Sequence, residues 1–213
     1  MIETAAGLVL RTRLLTETSL IIQWLTPTLG RLATVAKGAR RANSPFRGKL
    51  DLFYLADFSF SRSRRSELHT LREVSLRQTH SGLREDIGLL RQACYCANLV
   101  EQATETETPL PHVFDLVIGL LGRLLAQPLQ APTIFAFELK LLTELGLKPD
   151  LDKSRLNPGT KQLLKALAEN DWPVVARLRP TAVQAAELGH FLHGFLIYHL
   201  GRIPKGREAA LGL

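Results

Sequence analysis

The hydrophobic period of this chain changes once, in the polar stretch between Arg77 and Gly82. Upstream, apolar residues alternate with a period of two, which lines one face of extended strands. Downstream they recur at spacings of three and four, which lines one stripe of a helix. The two periods demand different cores. The chain is therefore predicted to be an α+β protein of two domains, a β domain over residues 1–80 and an all-α domain over 81–213. With 213 residues and 46% hydrophobic side chains, there is enough chain for both cores.

Five strands are predicted in the first part. Residues 4–13 alternate, with Leu8, Leu10 and Thr12 on one face and Val9, Arg11 and Arg13 on the other. Residues 19–26 are β-branched and aromatic, the turn Thr26-Pro27-Thr28-Leu29-Gly30 follows, and 31–37 form the third strand. Residues 52–60 place Tyr54, Ala56, Phe58 and Phe60 on one face, and 67–76 complete the set. Five short strands with a long loop between the third and fourth suit a closed β-barrel of the OB-fold type. Closure also removes the exposed edge that an open sheet of this size would present.

The helical part opens with Leu83, Ile87, Leu90, Cys94 and Ala97 on one stripe. A second helix follows Pro109 and Pro111, buries Val113, Leu116, Val117, Leu120, Leu121 and Leu124, and stops near Gln127-Pro128. A third runs from Pro132 to Gly146 through Phe135, Leu139, Leu142 and Leu145. Residues 160–169 form a fourth, with a short turn from Asp171. The last helix opens on a capping box, Thr181-x-x-Gln184, and ends at Gly201.

Charge divides the chain at the same place. Residues 1–80 hold 13 Lys+Arg against 6 Asp+Glu, and residues 81–213 hold 14 against 14. The whole excess of +7 therefore lies on the β domain, whereas a basic surface kept only for solubility would be spread evenly. Such an asymmetry points to a polyanion-binding module joined to a neutral partner domain. Two cysteines make no disulfide framework, the N-terminus lacks the pattern of a signal peptide, and the apolar runs are too short to span a bilayer. A soluble protein of the cytoplasm, with no membrane partner, is expected.

Catalytic and metal-binding patterns are missing. There is no G-x-x-x-x-G-K-[ST] phosphate loop and no G-x-S-x-G elbow. Cys94 and Cys96 lie roughly 200° apart around a helix and read as buried side chains. His190 and His193 share a helix face, with His199 beyond them, but no carboxylate or cysteine stands beside them to complete a metal site. The acidic pairs Glu105/Glu107 and Asp150/Asp152 fall in predicted loops and read as solvated. No catalytic residue, cofactor or metal is expected, and the chain reads as a binding protein.

Basic residues gather in three groups. Arg11 and Arg13 lie on one strand face about 7 Å apart, close to the spacing of successive phosphates. Lys37, Arg40, Arg41, Arg47 and Lys49 crowd the end of the third strand and the loop after it, where Gly38, Ser44, Pro45 and Gly48 would also let backbone amides approach phosphates. Arg62, Arg64 and Arg65 sit between the fourth and fifth strands. On an OB barrel, loops and one sheet face carry oligonucleotides. Six such contacts would give a log–log salt slope of roughly −4 to −5 with little sequence preference. Of Trp24, Phe46 and Phe53, Trp24 reads as core, and Phe46, flanked by loop residues, is the candidate for base stacking.

The same residues resemble the bacterial recombination mediator family RecO. The similar stretches are Glu17-Thr18-Ser19-Leu20, Leu25-Thr26 through Gly30-Arg31, and Val35-Ala36-Lys37-Gly38-Ala39-Arg40 with Gly48 and Leu50 downstream. In the helical part they are Phe137-Glu138-Leu139-Lys140-Leu141-Leu142 running to Leu145-Gly146-Leu147-x-Pro149, and Leu200-Gly201-Arg202 with Lys205 and Arg207. The resemblance implies an N-terminal OB-fold, a helical C-terminal domain, and a role in DNA repair through the RecF pathway. It implies binding to single- and double-stranded DNA, annealing of complementary strands, and location at the nucleoid. It also implies work with RecR to load RecA onto strands coated by single-strand-binding protein, whose C-terminal tail the helical domain would receive. By that resemblance Lys37 and Arg40, with Arg41 beside them, are the first candidates for DNA contact.

The chain departs from the family pattern in two places. Many members carry four cysteines after the Leu-Gly-x-x-Pro segment as a zinc ribbon, whereas residues 150–160 here contain none, so no zinc ribbon is expected. Gly206 stands where a serine is common, which leaves the role of the tail open. From charge alone, an RNA- or ribosome-associated OB protein, or a scaffold whose basic barrel holds acidic proteins, fits as well.

Overall fold

The structure is a computed structural model that describes residues 1–126, 130–151 and 153–212. The chain divides into two compact units, Met1–Ser81 with Thr104–Phe114, and Gly82–Ala103 with Asp115–Leu213. The division thus differs from the one expected at residue 80 by a single segment. Thr104–Phe114 returns to the β unit although it is polar and far along the chain, because Thr106 bridges to Arg31 and the Glu107 amide donates to the Arg31 carbonyl at 2.7 Å. One bridge leaves no hydrophobic period, so nothing in the pattern announces it.

The β unit is a closed barrel of strands β1 (Ile2–Leu14), β2 (Leu20–Thr26), β3 (Gly30–Ala36), β4 (Leu55–Ser61) and β5 (Leu68–Gln78). Their order around the barrel is β1-β2-β3-β5-β4, and β1 pairs with β4 to close it. Every pairing is antiparallel except β3 with β5, which the long connection through β4 permits. Val9, Ile22, Trp24, Leu32, Phe58 and Phe60 fill the inside. The Trp24 ring stacks on Phe58 at 4.1 Å, and its Nε1 donates to Thr34 Oγ1 at 2.9 Å, so the one polar atom of a buried indole is satisfied.

A β-bulge in β1 decides which residues face solvent. Val9 pairs with Trp24, but the next pair is Arg11 with Gln23, so Leu10 is an extra residue on β1. Strict alternation would put Val9, Arg11 and Arg13 on one face. The extra residue reverses the parity instead: Val9 enters the core, while Arg11 and Arg13 stay outside. The backbone at the bulge is held by Phe53 and Tyr54, whose N–H and carbonyl bond the carbonyl and N–H of Val9 at 2.8 and 2.9 Å.

The second unit contains helices α1 (Ile87–Ala103), α2 (Pro111–Ala126, whose first turn belongs to the barrel unit), α3 (Ala131–Glu144), α4 (Pro158–Glu169), α5 (Trp172–Val175), α6 (Ala182–Leu200) and α7 (Arg207–Leu211). α3 is its centre, packing against α1, α4, α6 and α7. That position explains why α3 is buried along nearly its whole length, Glu138 included. The capping box of α6 is formed in full: Thr181 Oγ1 accepts from the Gln184 amide and Gln184 Oε1 accepts from the Thr181 amide. Lys140 ties α3 to the end of α4 by donating to the Ala168 and Asn170 carbonyls at 3.0 and 2.7 Å. α7 is too short to produce a readable period, which is why the sequence pattern ends at Gly201. The expected stop of α2 near Gln127-Pro128, and Asp152 of the acidic pair, lie outside the described residues.

Candidate nucleic-acid interface

Two of the three basic groups share one surface of the barrel. Arg11 pairs opposite Gln23 and Arg13 opposite Ile21, positions that alternate with the core residues Ile22 and Trp24, so Arg11 and Arg13 project from the outer face of β1–β2, and the exposed Lys37 is the first residue after β3. The loop after β3 is folded against the β1–β2 turn. Arg40 donates to the Glu17 carbonyl at 2.8 Å through its side chain and to the Thr18 carbonyl at 3.0 Å through its amide, and the Gly38 amide reaches Ser19 Oγ at 3.3 Å. These contacts join two of the stretches that carry the resemblance in this part of the sequence, 17–20 and 35–40. Arg40 is thus exposed, with its amide and one guanidinium nitrogen, Nη1, held by the β1–β2 turn.

Beyond Arg40 the chain runs through successive tight turns. The amides of Arg41, Ser44, Arg47 and Lys49 donate to the carbonyls of Gly38, Arg41, Ser44 and Phe46 at 3.0–3.1 Å. These four amides, and the Gly38 amide bonded to Ser19 Oγ, are already used within the protein and are not open to a phosphate. What the loop offers is side-chain charge: Arg40, Arg41 and Arg47 rim a hollow of about 460 Å³ floored by Leu20, Phe46 and Leu50.

Phe46 is not available for stacking on a base. Its side chain is only 7% exposed and belongs to the barrel core, where it anchors the loop. A lone aromatic among Ser, Pro, Arg and Gly reads as solvent-facing, but a long loop over a barrel mouth also needs an apolar plug, and Phe46 is that plug. Trp24 and Phe53 are fully buried as well. Lys49 points elsewhere, lining a cleft of about 830 Å³ with Arg72 and Arg77 from β5. In the sequence pattern Arg72 falls within the fifth predicted strand and Arg77 in the polar stretch after it, and neither stands among the expected DNA contacts. Arg77 pairs with Asp57 at 2.6 Å and Arg72 donates to Ser61 Oγ at 2.8 Å.

The third basic group is divided. Arg64 and Arg65 are exposed. Arg62 is held: its Nε and Nη2 donate to the two oxygens of Glu3 at 2.7 and 3.0 Å, and its Nη1 donates to Glu107 at 2.8 Å. The bond from Arg62 keeps the Glu3 carboxyl below its ordinary range, and Glu3 in turn raises Arg62. The other oxygen of Glu107 lies 2.6 Å from Nε2 of the buried His69, whose Nδ1 accepts the Ser63 amide at 3.3 Å. Because Nδ1 is an acceptor, Nε2 is the donor of this bond and the Glu107 oxygen its acceptor. Arg62 is accordingly removed from the residues open to a phosphate, and Glu107, expected to be merely solvated, is tied to the barrel.

In the helical unit, Cys94 and Cys96 both lie on α1, and burial pushes the Cys96 thiol well above its ordinary value. His190 and His193 are exposed on α6, while the His199 ring lies 4.3 Å from Phe195. Among the described residues, no group of three or more His, Cys, Asp or Glu is placed to hold a metal ion, and no helix is long and apolar enough to cross a membrane. The segment joining α3 to α4 contains no cysteine.

A closed five-stranded barrel with a basic outer face, followed by a helical unit, defines the class as a two-domain protein of OB-fold type. The model of the family described as recombination protein O, N terminal, matches residues 1–80, and that of recombination protein O, C terminal, matches residues 84–155. The chain belongs to the RecO family. Among its relatives, the DNA repair protein RecO of Rhodopirellula baltica is 33% identical over 143 residues, covering 67% of this chain and 53% of that protein. The protein of that name from Bacillus pumilus is 31% identical over 153 residues, 72% and 59% of the two chains. The one from Bacillus subtilis is 32% identical over 152 residues, 71% and 59%. The chain thus matches between half and two thirds of the length of these curated relatives.

Proposed function

We propose that this chain is a DNA repair and recombination mediator that binds DNA backbones through its barrel and carries out no chemistry of its own. The reading rests on one observation: Arg11 and Arg13 project from one barrel face, the exposed Lys37 follows the end of β3, and the loop after it is clamped to the β1–β2 turn by the Glu17 and Thr18 carbonyls. Positive charges on a rigid surface, with no aromatic platform among the expected stackers, suit phosphate contact without sequence readout. Lys37, Arg40 and Arg41 are the principal contacts, Arg11, Arg13 and Arg47 extend the track, and Lys49, Arg64 and Arg65 add to it.

On this reading the protein holds two strands near one another and speeds their annealing. Screening of strand–strand repulsion by a basic surface supplies the physical means. The association with RecR, with the C-terminal tail of single-strand-binding protein and, indirectly, with RecA follows from family resemblance, as does location in the cytoplasm at the nucleoid. The test is annealing of complementary oligonucleotides, bare and coated with single-strand-binding protein. Faster annealing in both conditions is the expected result, and rates equal to those without the protein would remove the mediator reading.

A further inference from the structure

The acidic strap between α1 and α2 has the sequence Thr104-Glu105-Thr106-Glu107-Thr108-Pro109 and lies on the barrel. It is fastened at two levels. Its base is held by Arg31 and Gly30: the Arg31 side chain donates to Thr104 Oγ1 at 2.8 Å and to the Thr104 carbonyl, the Arg31 carbonyl accepts the Glu107 amide at 2.7 Å, and a Cβ on Gly30 would come within 2.1 Å of the Thr108 carbonyl oxygen. Its tip is one side chain. Glu107 takes Arg62 with one oxygen and His69 with the other.

Two features make the tip separable from the base. Glu107 has a φ of +52°, a left-handed conformation that residues with a Cβ seldom adopt, so its contacts hold it there against backbone preference. Its side chain is also 37% exposed and that of Arg62 32%, which leaves both within reach of a ligand from solvent. The Nη1 edge of Arg62 that Glu107 covers lies on the segment that carries the exposed Arg64 and Arg65. A carboxylate and a phosphate oxygen make the same charge-assisted bond to guanidinium, so the two are direct competitors.

We infer that the Glu107 carboxylate is a built-in phosphate mimic that masks Arg62, so that nucleic acid engaging the β4–β5 loop must displace it to gain one further backbone contact. The inference rests on the proposed DNA binding and adds to it a regulated position. Glu3 stays bound to the other edge of Arg62 and keeps the guanidinium aimed while Nη1 changes partner. In the resting protein the mask lowers affinity, and it raises the selectivity for strands long enough to cover Arg64 and Arg65 as well.

The test compares Glu107→Gln with Glu105→Gln. Both remove one negative charge from the same strap, but Glu105 is exposed and touches none of these groups among the contacts of the described residues. Affinity for a single-stranded 30-mer is measured across salt for the wild type, both variants and Arg62→Ala/Glu107→Gln. Unmasking predicts at least a threefold tighter complex for Glu107→Gln and a log–log salt slope steeper by about 0.7, one more phosphate neutralised. Glu105→Gln should change affinity by less than about twofold, as expected for a screened charge, and the double variant should lose the gain. Equal effects of the two Glu→Gln changes, or a gain that survives Arg62→Ala, would overturn the inference.

Failure of the wild type to bind at any salt would overturn the proposed function. In that event, binding by Glu107→Gln alone would still support the mask, and binding by no variant would remove it. A second measurement needs no variant: the side-chain carboxyl carbon resonance of Glu107, whose oxygen bonds Arg62 Nη1, should shift when the wild type is saturated with oligonucleotide, and an unchanged resonance contradicts displacement.

Discussion

Arg207 and Glu138 lie 69 residues apart in sequence and meet as a buried, two-pronged ion pair, Nε to Oε1 at 2.7 Å and Nη2 to Oε2 at 2.9 Å. Tyr95 completes the group by donating its hydroxyl to Glu138 Oε1 at 2.6 Å, and Arg207 Nη1 reaches the Gly189 carbonyl at 3.3 Å. One cluster thereby joins α1, α3, α6 and the short α7. Burial opposes the charge on Arg207, but the bonds to Glu138 outweigh it and the guanidinium is held above its ordinary value. Burial, with the neighbouring Glu138 carboxylate, likewise pushes the Tyr95 phenol far up. The pair gives the two helical motifs of the sequence a common purpose: Glu138 comes from one and Arg207 from the other.

Removing one partner leaves the other charged and buried. Arg207→Ala or Glu138→Ala is therefore expected to cost about 3–5 kcal/mol of unfolding free energy, measured by urea denaturation. Arg207→Lys should recover only part of it, because an ammonium cannot bind both carboxylate oxygens in the plane of a fork. Tyr95→Phe should cost about 1–2 kcal/mol. DNA binding by the folded fraction of each variant should be unchanged.

Much of this was legible in the sequence, and the parts that were not have physical causes. The period change near residue 80, the five strands and the capping box at Thr181 are local patterns of side-chain spacing, and each corresponds to an element of the structure. The bulge at Leu10 was hidden because a single inserted residue leaves the apolar content of β1 unaltered while reversing its parity. The masking of Arg62 and the burial of Phe46 were hidden because each depends on a segment distant in sequence, the strap for one and the barrel mouth for the other. The Glu138–Arg207 pair was visible only as two motifs without a link. Spacing finds elements, and long-range pairing has to be seen.

Phe46 supplies a test of core against stacking. As a plug of the barrel, Phe46→Ala should cost about 3 kcal/mol of stability, whereas Phe46→Leu, which keeps an apolar volume, should cost about 1 kcal/mol. DNA affinity of Phe46→Leu should remain within about twofold of the wild type. A stacking residue would instead lose on the order of 1–3 kcal/mol of binding on either change. Oligonucleotide titration of the two variants, with thermal unfolding alongside, distinguishes the roles.

Glu3 gives a prediction in pH. Its carboxyl is depressed in the folded protein by Arg62 and rises to about 4.3 when the chain unfolds. A depressed folded value means that the contribution is fully present above the unfolded value and is lost as pH falls through the folded one. The difference in melting temperature between the wild type and Glu3→Gln should therefore be constant from pH 7 to about 5 and vanish in more acid solution. A difference independent of pH throughout would show that the pair with Arg62 contributes nothing through ionisation.

In the proposed function the barrel grips nucleic acid by its backbone through the Lys37–Arg41 segment and the strand face beside it. Binding of a single-stranded oligonucleotide, titrated from low to moderate salt with wild type and with Lys37→Ala/Arg40→Ala/Arg41→Ala, measures it directly. The wild type should give a log–log slope of roughly −4 to −5 that is the same for unrelated base sequences, and the triple variant a slope shallower by about 2–3 with weaker binding to all of them. An unchanged slope and affinity in the triple variant would contradict this mode of binding.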